Sequence, residues 1–220
     1  MATVAQSARI SAPLVGALEE CWAAVARRHP DVPAAVIVVA SGTDGRASQV
    51  RWGHFAALRW VQEGGDQLPE VLVAGEGLAR GAEAVLATLL HEAGHAVADV
   101  RKIVDTSRQG RYHNRRYAAL ARELGLDVAE VGSIGWSSTT LSEQAKHEYR
   151  RELARLQAAL TLSRRGEVSG SGGRKSNNNN LACTCDCGRR IRVSRATLAA
   201  GAIVCGLCGE EFTAEDNEEA

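Results

Sequence analysis

Two groups of residues have the types and spacing to hold a metal ion. The first is His91-Glu92-Ala93-Gly94-His95. On a helix, positions i and i+4 stand one turn apart on the same face, so both imidazoles can meet a single ion. Glu92 projects beside them and can accept a proton from water without ligating the metal. The bland alternative is a buried helix that happens to carry two histidines. The second group is five of the six cysteines, crowded between Cys183 and Cys208. Cys185-Asp186-Cys187-Gly188 and Cys205-Gly206-Leu207-Cys208-Gly209 are two thiolate pairs on tight turns, where glycine lets backbone N–H groups approach sulfur. Together they make a zinc ribbon pattern in which Cys183 competes with Cys185 for a place in the first pair.

A catalytic zinc takes three protein ligands and keeps one position open. The continuation x-x-G-x-x-H is absent, because Ala98 and Arg101 stand where its Gly and His would be. His113 is the favoured third ligand, since it opens the next helical pattern after a Gly-containing turn. Glu123 and Glu130 are the alternatives, as a distal carboxylate. His29, His54 and His147 lie elsewhere in the pattern. On proximity alone, Tyr112 and Tyr117 are candidates to stabilise an oxyanion.

The elements that must position these residues follow from periodicity. Ala82 to about Lys102 is Ala/Leu-rich at first and free of Pro, the composition of a buried helix. Before it, Pro13 opens a helix whose Leu14, Leu18, Cys21, Trp22 and Val25 share a face, and His29-Pro30 closes it. Ala34–Ala40, a stretch within Val50–Val61, and Glu70–Ala74 read as strands. Val71–Ala74 is the expected exposed edge on which an extended substrate could pair. After the metal helix, a helix begins at His113 and stops at Gly125, Leu126–Ser138 is a short strand and loop, and Thr140 to about Leu162 is one charged amphipathic helix. The fold class expected is α+β.

Composition divides the chain. Ser169-Gly170-Ser171-Gly172-Gly173 and Asn177–Asn180 are low-complexity linker. This gives a metal-helix domain over 1–162, a linker over 163–180, a zinc ribbon over 181–214 and an acidic tail over 215–220. Formal net charge is zero, yet residues 101–200 hold 19 Lys/Arg against 9 Asp/Glu. That excess fits contact with a polyanion or a solvated Arg-rich surface. In the ribbon, Arg189, Arg190, Arg192 and Arg195 form a basic face suited to phosphate. No uninterrupted apolar run approaches the length of a membrane span, about 18 residues. Met1–Arg9 lacks the charged and apolar regions of a secretory leader, so the expected compartment is the cytoplasm, where clustered cysteines bind metal more often than they form disulfides.

His91-Glu92-x-x-His95, then Gly110-x-x-His113 with Tyr117 four residues on, resembles the SprT-like zinc metalloproteases, which include bacterial SprT and the eukaryotic Spartan proteases. In order of parts the likeness runs over roughly residues 20–214. The resemblance implies a small zincin-like core, a short sheet with the H-E-x-x-H helix, followed by a zinc ribbon. It implies that the third ligand is a histidine, His113, although Asn114 replaces the glycine usual after it. It also implies a protease acting on protein substrates, in some members proteins crosslinked to DNA.

The expected function is zinc-dependent peptide hydrolysis, with one catalytic Zn²⁺ at His91, His95 and His113, Glu92 as general base, and one structural Zn²⁺ at Cys185, Cys187, Cys205 and Cys208. Single-stranded DNA is the expected nucleic-acid partner. The competing readings are a non-catalytic zinc-containing module that binds nucleic acid or protein, and a metal-dependent hydrolase of small amides.

Overall fold

A computed structural model describes residues 9–43, 50–166 and 180–214. The acidic tail and most of the low-complexity linker lie outside the described residues. The chain divides into two compact units, Met1–Glu167 and Val168–Ala220. Both mix helices with small sheets, an α+β arrangement.

In the larger unit, helix α1 spans Ala12–Arg28 with Pro13 in its first turn, and buries Leu14, Leu18, Cys21, Trp22 and Val25. Strands β1 (Val36–Ala40), β2 (Gly53–Val61) and β3 (Gln67–Ala74) form a sheet in the order β1-β3-β2. β1 runs parallel to β3, and β2 antiparallel to it. Val71–Ala74 is therefore the middle of the sheet and not its edge. Its length of uninterrupted apolar residues already signals burial on both sides, and among the described strands the edges of this sheet are β1 and β2.

Helix α2 (Ala82–Val100) starts after Gly81, at φ 87°, and ends where Lys102 turns left-handed at φ 55°. It is buried along most of its length, packing against β2 and against the segments Gly135–Leu141, Arg115–Glu123 and Arg150–Ala159. Leu86, Leu89 and Leu90 are each fully buried, a contribution of about 1.5–3 kcal/mol per side chain. A helix so enclosed is a rigid mount for whatever it carries.

The second sheet has the order β4-β5-β7-β6. β4 (Thr106–Ser107) and β5 (Tyr112–His113) make a short hairpin, and β6 (Leu126–Val131) pairs antiparallel with β7 (Gly135–Leu141). His113 thus ends a strand and does not open the helix. Asn114 caps helix α3 (Arg115–Glu123), its Oδ1 accepting from the backbone N–H groups of Arg116 and Tyr117. Capping by a short polar side chain explains why the helix begins two residues after the histidine, with Asn114 between them.

The expected helix from Thr140 to Leu162 is shorter and divided. Thr140 and Leu141 complete β7 opposite Asp127 and Leu126. Ser142 then caps α4 (Glu143–Glu148), and α5 (Arg150–Ala159) follows Tyr149. Beyond it the chain is pinned, with the Arg164 N–H donating to the Gly75 carbonyl and its guanidinium to the Glu76 carboxylate. The first residues assigned to the linker therefore pack on this unit.

The smaller unit has β8 (Leu181–Thr184), β9 (Arg190–Val193) and β10 (Thr213–Ala214) in the order β10-β8-β9, all antiparallel, with a short helix α6 (Arg195–Ala199). Its buried core is Cys183, Cys185, Cys205 and Phe212, flanked by Leu181, Ile191, Val193, Leu198 and Ile203. Among the described residues, no helix is long and apolar enough to cross a membrane.

Candidate metal centres

His91 and His95 project from one face of α2, and the β4–β5 hairpin swings His113 onto them. His113 Nε2 stands 3.3 Å from His91 Nε2 and 3.1 Å from His95 Nε2. Ligands of a tetrahedral zinc, at about 2.0–2.1 Å from the ion, stand about 3.3 Å apart. The three nitrogens fit that spacing and could hold a metal.

Each ring is held from behind through Nδ1. His91 Nδ1 meets Thr139 Oγ1 at 3.1 Å, His95 Nδ1 meets Asp105 Oδ2 at 2.5 Å, and His113 Nδ1 meets Ser137 Oγ at 2.8 Å. With Nδ1 engaged, Nε2 is the atom each ring turns inward, and inward lone pairs at this separation repel unless a proton or a cation lies between them. Burial pulls the His91 pKa well down, and the neighbouring imidazoles His95 and His113 add to the effect. Burial, with His95 beside it, lowers His113 to about 4. Burial acts on His95 in the same direction, but the Asp105 carboxylate and then Glu92 more than offset it and leave that pKa raised. His91 and His113 are thus uncharged at neutral pH, the state that ligates.

Tyr117 floors the site. Its ring lies 4.5–4.9 Å from all three imidazoles, nearly parallel to His95. Gly94 makes room for it, since a Cβ there would stand 3.1 Å from Tyr117 Cε2. The Tyr117 hydroxyl is directed at the His91 carbonyl, 3.4 Å away, and that of Tyr112 donates to Glu130 at 2.8 Å. Of the two phenols considered as oxyanion stabilisers, that of Tyr112 is thus hydrogen-bonded to a carboxylate, and that of Tyr117 faces a backbone carbonyl. The alternative third ligands are engaged as well, Glu130 by Tyr112 and Glu123 by two bonds from Arg101, at 2.7 and 2.8 Å.

Glu92 is 4% exposed. Burial pushes its carboxyl up to about 7, opposed by His95, by a hydrogen bond from the Phe55 backbone and by Arg51. Gly53 completes this pocket. A Cβ on it would overlap Glu92 Oε1 and stand 2.7 Å from Thr88 Cγ2. Gly53→Ala is expected to lower unfolding free energy by about 1–3 kcal/mol, because a buried carboxylate must shift to admit the methyl group. Urea unfolding measures this, and unchanged stability would show that the pocket yields freely.

Asp105, Ser137, Thr139 and Gly53 were not among the sequence candidates. For Ser137 and Thr139 a signal existed, since they alternate on one face of β7 once that strand is extended to Leu141. Asp105 and Gly53 become visible only through contacts.

In the smaller unit, Cys185, Cys187, Cys205 and Cys208 form the second group that could hold a metal. Cys187 Sγ lies 3.2 Å from Cys185 Sγ and 3.8 Å from Cys205 Sγ, against an edge of about 3.8 Å for thiolates at 2.3 Å around zinc. Gly188 and Gly209 take positive φ, 79° and 82°, and close each turn by donating to the carbonyls of Cys185 and Cys205. Backbone N–H groups of Cys208 and Leu207 pull the Cys205 thiol down to about 6. Cys183 points into the hydrophobic core and is not in the cluster. Of the four arginines, Arg189 reaches Cys205 Sγ at 3.8 Å, so part of its charge serves the cluster. Arg190, Arg192 and Arg195 are exposed, the first two alternating with Ile191 and Val193 on β9.

Compared with protein-family models, curated proteins and solved structures, the chain matches none.

Proposed function

We propose that the larger unit is a zinc-dependent peptidase with a zincin-like core, similar in its motifs to the SprT-like metalloproteases. The observation that carries this reading is the convergence of three Nε2 atoms beside a buried carboxylate that belongs to none of them. A zinc ion in that cage supplies Lewis acidity, which acidifies water and polarises a peptide carbonyl.

Everything else falls to the chain. His91, His95 and His113 bind as neutral imidazoles. Glu92 takes the proton from the attacking water at its carboxylate and returns it to the departing amine, so the peptide C–N bond breaks with no net proton change. The Phe55 hydrogen bond and the Gly53 contact hold that carboxylate in place. β2 pairs only with β3 among the described strands, and its Gly53 and Phe55 touch Glu92. An extended substrate adding to this rim, in place of the expected Val71–Ala74, lays its backbone beside the carboxylate. The register shift between Ala56 and Trp60 confines such pairing to the start of the strand.

The cysteine cluster takes a structural zinc. Arg190, Arg192 and Arg195 support a role for this unit in bringing the peptidase to single-stranded DNA, where proteins bound or crosslinked to the strand are the substrates.

The test is metal analysis of the purified chain followed by incubation with an unfolded protein substrate. Two zincs per chain, with cleavage abolished by a chelator and restored by zinc, is the expected result. Zinc bound in the imidazole cage without turnover of any protein substrate would remove the peptidase and leave a binding module.

A further inference from the structure

We infer that Asp105 is a positioning residue of the imidazole cage, whose carboxylate locks the His95 ring in its ligating tautomer and thereby sets the affinity for metal. The inference rests on the zinc reading of the cage.

The hydrogen-bond inventory carries it. An ionised carboxylate can only accept, so the 2.5 Å contact with Asp105 Oδ2 places a proton on His95 Nδ1, and in the neutral ring that ligates Nε2 is then the bare nitrogen. Ser137 acts similarly on His113. Its hydroxyl proton goes to the Ile134 carbonyl, so towards His113 Nδ1 it is an acceptor. Thr139 donates or accepts with equal ease and fixes nothing by itself. Two of the three rings therefore have their tautomer imposed from outside, and Asp105 is the one partner that carries charge.

Its environment strengthens the bond. The His95 and Asp105 side chains are 19% and 15% exposed, so little water competes. Placement depends on the backbone of the β4–β5 hairpin. Thr106 pairs with His113, and the Asn114 N–H donates to the Asp105 carbonyl at 2.9 Å. One hairpin thus delivers the third ligand and the carboxylate that orients the second. Because these backbone bonds do not involve the Asp105 side chain, the hairpin can form without its charge.

The experiment is chelator competition for zinc on the full chain, with the cage assigned as the phase lost in His113→Ala. Asp105→Ala is expected to weaken zinc in that phase by 10–100-fold, in the range for removal of such an outer partner, and Asp105→Asn by about tenfold or less, since an amide oxygen still accepts from Nδ1. The visible spectrum of cobalt in the cage should shift in the same order. Affinity within about twofold of the parent chain in both variants would overturn the inference alone. A lowered melting temperature with unchanged zinc affinity would do the same, by reducing Asp105 to a structural role. Absence of any phase dependent on His113 in the parent chain would overturn the zinc reading and this inference with it.

Discussion

Glu92→Gln is expected to keep zinc at both sites and to lose about 10²–10⁴-fold in turnover, the usual contribution of a positioned acid–base group. Glutamine matches the shape of the carboxylate inside a pocket closed by Gly53 and Thr88. It can still accept a hydrogen bond from the Phe55 backbone but cannot take a proton from water. Folding should therefore survive while proton transfer fails. Burial raises the carboxyl to about 7, and a dication held in the cage would draw it down again, so that the ionised base would predominate at neutral pH. Zinc content and cleavage rate measured on one preparation decide the matter. Full cleavage by a zinc-replete Glu92→Gln chain would assign the base to another group.

Stripping zinc is expected to unfold the smaller unit and spare the larger. Three of the four buried residues in the smaller core are cysteines, with Phe212 the fourth. Released thiolates repel, and the apolar surface that remains is far too small to order three short strands. Metal binding at such sites supplies about 10–16 kcal/mol near neutral pH, which under the proposed structural zinc would provide the folding free energy of this unit. The larger unit has Leu86, Leu89, Leu90, Val71, Val73, Tyr117 and Tyr149 fully buried without reference to any ion. Chelator followed by limited proteolysis should clip residues 181–214 and leave the helical unit intact, and Cys205→Ser should reproduce the pattern. Protection of both units in metal-free protein would show that the ribbon has a self-sufficient core.

Local chemistry explains what could be read from residues alone. His91, Glu92 and His95 lie within five positions on one helix, so helical periodicity places them with no knowledge of the rest. The cysteine pairs behave likewise, because each turn is closed by its own glycine. The α1 face of Leu14, Leu18, Cys21, Trp22 and Val25 follows from the same periodicity. Tertiary structure decided everything that depends on which strand lies beside which. Val71–Ala74 became the centre of its sheet because β1 and β2 flank it on either side, and neither partner is encoded in those four residues. Cys185 prevailed over Cys183 because it stands in the turn that follows β8, next to Cys187, whereas Cys183 lies inside the strand opposite Ile191. Glu123 and Glu130 were plausible ligands by distance along the chain, and lost to Arg101 and Tyr112 in space. Asp105, Gly53 and the pair Ser137 and Thr139 arrive from three places in the sequence. Their roles consist of one hydrogen bond or one missing methyl group apiece, and beyond the alternation of Ser137 and Thr139 such short-range interactions leave no pattern until the chain has folded around them.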